Sequence, residues 1–236
     1  MRFPVKIFFA ALAVALSAGC DDGKIYPQEE TATGRQVSGT FRLTSLDAFP
    51  TGDHYQLVFA AFGESGDYPA SYRLLAKPAS ESAATEVTLG NVGDNISYVA
   101  LSVIDKSKKL VHHFMTFDLA GDSDDSVVLP EKTVDLASYD RMQDQLFTSQ
   151  CIACHGGSNM TAAGLSLTAS ESYGMLVGTA STVDPSSKRA TPGSPSQSFL
   201  YRILTVRELL GTDHTEMVEN EDIALIKCWI ENGCPE

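Results

Sequence analysis

The chain of 236 residues is short of cations and of long apolar runs, and each shortage removes a class of function. With 17 Lys and Arg against 30 Asp and Glu, the formal charge is −13 at pH 7. A surface of that sign repels nucleic-acid phosphates and anionic lipid, and it steers a basic protein partner toward itself. No Gly-rich phosphate loop and no G-x-S-x-G elbow occurs, so nucleotide-dependent and α/β-hydrolase chemistry have no motif to rest on. No pair of carboxylates stands out as an acid/base couple.

The only long apolar run, "IFFAALAVAL" at residues 7–16, follows Arg2 and Lys6 and leads through small residues to Cys20. It is too short for a spanning helix, which needs about 20 apolar residues. A charged opening, an apolar middle and a small-residue end predict an export signal over residues 1–19. "LSAGC" resembles the lipobox of bacterial lipoproteins, although Ser17 stands where leucine is usual. That resemblance implies lipidation of Cys20 and a membrane anchor in the cell envelope. Losing Arg2 and Lys6 with the signal moves the charge from −13 to −15. Residues 20–36 are polar and aperiodic, so a flexible tether is expected there.

From Val37 onward, short runs rich in Val, Thr, Tyr, Phe and Ile alternate with turn residues: "VSGTFRLTSL", "YQLVFAAFG", "SYRLLAKP", "TEVTLGNV", "ISYVALSVID", "KKLVHHFMTFDL" and "SVVLPEKTV". About seven such strands predict an antiparallel, immunoglobulin-like β-sandwich over residues 37–134. Period-two alternation lets at most one of His112 and His113 share the face of Met115, so strand packing is their expected role. An exposed patch built from Phe41, Tyr55, Phe62, Tyr68 or Tyr72 would mark this part as a binding module for a glycan or a protein.

Helical spacing replaces strand spacing over residues 135–236. "SYDRMQDQLFTSQCIACH" puts Met142, Leu146 and Phe147 on one stripe. A short helix is expected in "SESYGMLVG", between Ser170 as cap and Gly178 as stop, and a longer one in "PSQSFLYRILTVRELLG", ending at Gly211. The last, "NEDIALIKCWIENG", starts from Asn220 as cap and aligns Ile223, Ile226 and Ile230. Trp229 is expected in the core.

Five cysteines divide by position. Cys20 belongs to the anchor, and Cys151 and Cys154 form a C-x-x-C pair. Cys228 and Cys234 are an even remainder in an exported, oxidising setting, which predicts a disulfide between them; two unpaired buried thiols are the alternative. The pair at 151 and 154 could serve three chemistries. A thioredoxin-like dithiol sits at a helix start, whereas these cysteines close a helix. A structural zinc needs a second ligand pair at matching spacing, and none is present. Covalent haem needs C-x-x-C-H, and His155 comes directly after Cys154: two thiols add to the vinyl groups and the imidazole takes the iron.

Residues 139–236 are similar to a class I c-type cytochrome domain, on "LFTSQCIACHGG", "AGLSL", "TPGSPSQSFLY" and "IALIKCWIENG". That resemblance implies an all-α haem domain behind the sandwich, one haem c, and a methionine opposite His155. Met217, in the loop before the last helix, holds that methionine's place, with His214 and then Met175 as alternatives. The resemblance also lets Lys188 or Arg189 pair with haem propionates. The reading as a whole is an exported, lipid-anchored electron carrier with a redox partner protein, rather than an enzyme. Its rivals are an envelope binding module with an accessory haem domain, and a sensor or peroxidase-like protein with an open distal site.

Overall fold

A computed structural model describes residues 34–119, 124–157, 161–207, 209 and 211–236. The expected signal, Cys20 and nearly all of the tether lie outside the described residues. Residues 32–236 cluster as one compact unit. Among the described residues no helix is long and apolar enough to cross a membrane.

Among the described residues, eight strands build two sheets: β1 (Arg35–Thr44), β2 (Tyr55–Phe62), β3 (Ser71–Leu74), β4 (Ala84–Val92), β5 (Tyr98–Asp105), β6 (Leu110–Asp118), β7 (Ser126–Val128) and β8 (Lys132–Asp135). One sheet runs β4-β1-β7 with β8 also on β1; the other runs β3-β2-β5-β6. The expectation of antiparallel pairing throughout is corrected, because β7 and β8 both run parallel to β1. The cause is local. Pro130 offers no N–H to a ladder, so the single run "SVVLPEKTV" becomes two short strands that meet β1 in succession.

Alternation explains the layers. Val37, Phe41 and Leu43 of β1 and Leu57, Phe59 and Ala61 of β2 are buried in one core, where the Phe41 and Phe59 rings lie 5.6 Å apart. Each such side chain contributes roughly 1.5–3 kcal/mol by leaving water. Val58, Ala60, Phe62, Ala100 and Ile104 form a second, smaller apolar cluster on the opposite face of β2 and β5. A register shift between Leu101 and Ser102 skips Phe114 on β6, so His112 pairs with inward Val103 while His113 pairs with outward Ser102.

The C-terminal part holds α1 (Tyr139–Met142), α2 (Ile152–His155), α3 (Ser172–Leu176), α4 (Phe199–Thr205) and α5 (Asn220–Glu231). A π-helical stretch, Gln143–Cys151, joins α1 to α2, and 3-10 turns occupy Ala162–Gly164 and Pro195–Gln197. The expected all-α cytochrome domain is therefore corrected: the molecule is mainly β, with a small helical part of short helices, 3-10 turns and isolated bridges. The physical reason is that most of these helices are one or two turns long and bury too little apolar surface to form a core among themselves. Met142, Leu146, Phe147, Leu225, Ile226 and Trp229 instead join the same hydrophobic cluster as the sheet residues.

Helix ends differ from the expected positions. α3 starts at Ser172 with Glu171 rather than Ser170 at its cap position. α4 stops at Thr205 rather than Gly211, where Val206 is extended. α5 is capped by Glu219 rather than Asn220, with Asp222 returning the bond in a reciprocal box.

Candidate functional site

Ser138 starts the motif helix by accepting from Arg141 N at 3.4 Å, and the π stretch carries it on to the cysteines. The wider π turn rotates the residues beyond it about the helix axis, and Cys151 ends half-buried while Cys154 is exposed. The helix must end after His155. A Cβ at Gly156 would stand 2.4 Å from the Ile152 carbonyl oxygen, and Gly157 takes φ +100°, which favours glycine.

His155 is fixed by the loop that returns beneath it. Its Nδ1 lies 3.2 Å from the Leu165 carbonyl, and its own carbonyl accepts from Leu167 N at 2.7 Å. A carbonyl only accepts, so Nδ1 carries the proton, and in the neutral ring Nε2 presents its lone pair. An outer partner on one nitrogen that orients the other is the usual support of a metal-ligating imidazole. The loop is held in turn from two sides. Gln143 Nε2 donates to Leu167 O at 3.0 Å, and Arg189 donates through Nη2 to Gly164 O at 3.0 Å and through Nη1 to Met175 O at 3.1 Å. Arg189 is thus a buried clamp on the His155 loop; Lys188 is exposed.

The thiols are not poised as a redox dyad. Burial, then the charge of Asp222 and of Cys154, pushes the Cys151 thiol up to about 12, so it stays protonated at neutral pH. Asp222 itself is fully buried. It accepts from Gln145 Nε2 at 2.7 Å and from Glu219 N at 3.0 Å. Gln145 Oε1 accepts from Arg141 Nε at 3.0 Å, and Arg141 Nη1 reaches Ala48 O and Leu136 O at 2.8 and 2.7 Å. Beside them Glu221 accepts from Thr51 N, Thr51 Oγ1, Gly52 N, His54 N and Tyr55 N at 2.6 to 3.3 Å. This polar seam binds the motif helix, α5 and the turn before β2. In the sequence Glu221 and Asp222 are simply acids early in a helix; the fold buries both. A second link joins His112 of β6 to Asp144 of the π stretch at 2.8 Å.

The expected distal ligands separate. Met217 is 51 % exposed on the loop entering α5, and Val218 after it packs on the core. His214, on the same loop, has Nδ1 2.9 Å from the Thr212 carbonyl, which leaves its Nε2 with the lone pair. Met175 is already used: its sulfur accepts from Ser166 N at 3.2 Å, in the loop that supports His155. Cys228 and Cys234, expected as a disulfide, stand as two buried free thiols. Burial pushes Cys234 up to about 11. Trp229 is fully buried, with Nε1 donating to Pro235 O at 2.7 Å.

No protein-family model, curated protein or solved structure matches the chain. Among the described residues no three His, Cys, Asp or Glu are grouped to hold a metal ion. Together with the mixed architecture, these findings overturn the resemblance of residues 139–236 to a class I cytochrome c domain. What stands is a C-x-x-C-H turn on a helix end, with its histidine oriented by a braced loop.

Proposed function

We propose that the chain carries one covalently attached haem c on Cys151, Cys154 and His155, and that it serves in electron transfer from an exported, lipid-anchored position. The observation that carries this reading is the Nδ1–H bond from His155 to Leu165, which leaves Nε2 for iron one residue after the second of two properly spaced thiols. The chain's own residues fit the group. Cys154 is exposed and Cys151 half-buried on one helix end, at the C-x-x-C-H spacing that covalent haem needs. A bound haem would supply a one-electron iron couple. The loop of His214 and Met217 would supply a second ligand, and Gln143 and Arg189 hold the His155 loop rigid. The acidic surface favours a basic redox partner.

The test is to mature the chain in an exporting host that attaches haem to C-x-x-C-H proteins, and then to denature it. Haem retained on the polypeptide, with a thioether-type pyridine haemochrome spectrum, is the expected outcome. Loss of all haem on denaturation would sink the reading. Carbon monoxide added to the ferrous protein then reports the distal side: two protein ligands resist it, and an open site binds it. A near-infrared sulfur-to-iron band that disappears in Met217→Ala would select Met217 over His214.

A further inference from the structure

The outer face of β5 and β6 carries an open depression of about 470 Å³, lined by Ser97, Tyr98, His113, Thr116 and Asp118. That volume is within the range of small-molecule sites. Strand register explains its shape. Tyr98 stands between Phe62 of β2 and Asp118 of β6, and Ala100 stands between Ala60 and Thr116. Ala60 and Ala100 are fully buried beneath this face, and Thr116 and Asp118 on β6 form the far edge of the trough.

The rings are set before any ligand arrives. Phe62 stacks on Tyr98 at 5.3 Å and 12°, which covers one face of the tyrosine. His113 meets Phe62 and Tyr98 edge-on at 4.9 and 5.5 Å. Ser102 Oγ at 2.7 Å from Nδ1 and Tyr98 OH at 3.2 Å from Nε2 hold the imidazole between them. Tyr98 is partly exposed and lines the trough beside Asp118, its cross-strand partner on β6.

We infer that this trough binds the apolar face of a neutral sugar ring, stacked on Tyr98 and hydrogen-bonded through its hydroxyls to Asp118 and Thr116. Among the described residues no Lys or Arg lines the trough, so an anionic ligand finds no counter-charge there. Burial, and then the neighbouring His112, lower the His113 pKa, so the imidazole is neutral at pH 7 and adds no cation. An organic cation is best held by several open ring faces, whereas here Phe62 is covered and His113 offers an edge. A flat ring with C–H bonds on one side and hydroxyls at its rim matches one partly exposed aromatic ring with a carboxylate and a hydroxyl beside it.

The inference does not rest on the haem reading, and haem-free and haem-loaded chains are expected to bind alike. Saturation-transfer NMR on the full chain, with methyl glycosides of glucose, galactose, mannose and N-acetylglucosamine, tests it. Tetramethylammonium and acetate serve as counter-probes. Saturable, millimolar-range transfer to the ring C–H protons of at least one glycoside is expected. Tyr98→Leu and Asp118→Asn are each expected to weaken it about tenfold. Thr116→Val keeps a β-branched side chain in the strand, so a loss there cannot be blamed on unfolding. No transfer to any glycoside, transfer unchanged in all three variants, or binding of tetramethylammonium alone would overturn the inference.

Discussion

His155 and His113 are both anchored through Nδ1, the first by the Leu165 carbonyl at 3.2 Å and the second by the Ser102 hydroxyl at 2.7 Å. Their other nitrogens differ. His113 Nε2 already meets Tyr98 OH, and its ring is wedged against two aromatic side chains. His155 Nε2 has no hydrogen-bond partner among the described residues, and its ring sits at a helix end beside two thiols. Identical side chains are thus assigned opposite work by what occupies Nε2: one completes a wall, and the other is left with a lone pair to give.

Breaking the contrast at its reactive end has the largest expected effect. Cys154→Ala together with Cys151→Ala should abolish haem retention in denaturing gels, whereas His113→Gln should leave it unchanged. The thiols sharpen the point in the haem-free chain. Cys151, at about 12, should react with iodoacetamide about a thousandfold more slowly than an ordinary thiol, with peptide mapping as the readout. Next comes the seam that holds the motif helix in place. Glu221→Ala removes the acceptor of five donors and should lower unfolding stability by about 3 kcal/mol in urea, with Glu221→Gln milder.

The smallest effect lies on the His113 side. Its folded pKa is below the unfolded value of about 6.5, so the unfolded chain binds more protons as pH drops. The contribution of His113 is fully present above about pH 6.5 and is lost as pH falls toward the folded pKa. The difference in stability between pH 7.5 and 5.5 should therefore shrink in His113→Gln, by under about 1 kcal/mol.

Much of the local structure was legible, because strand and helix periods are written in neighbouring residues. Each expected β run holds a strand, and the motif helix spans its expected residues. Pairing was not legible, since β1 meets β8 about 90 residues later and nothing local encodes that meeting. The bulge at Phe114 also defeats strict alternation, which would put His113 rather than His112 on the face of Met115. Of the aromatic residues that might have formed an exposed patch, Phe41, Tyr55 and Phe62 are buried and Tyr68 is exposed. Tyr98, which opens the trough, carries no sequence signal that sets it apart from other β residues. The burial of Arg189, Asp222 and Glu221 was hidden for another reason: charged residues are mostly exposed, and their burial depends on partners far along the chain.

The Glu221 bonds cross 166 to 170 residues of sequence, and they close only when the last helix exists. Asp222 of the same helix reaches Gln145 of the motif helix across 77 residues, so during synthesis the motif helix emerges before that clasp, since such distant contacts form late. An attachment enzyme that must reach Cys151 would work in that interval, before the C-terminus seals the seam. On the proposed haem attachment, the late arrival of α5 would set the timing of maturation as well as brace the finished molecule.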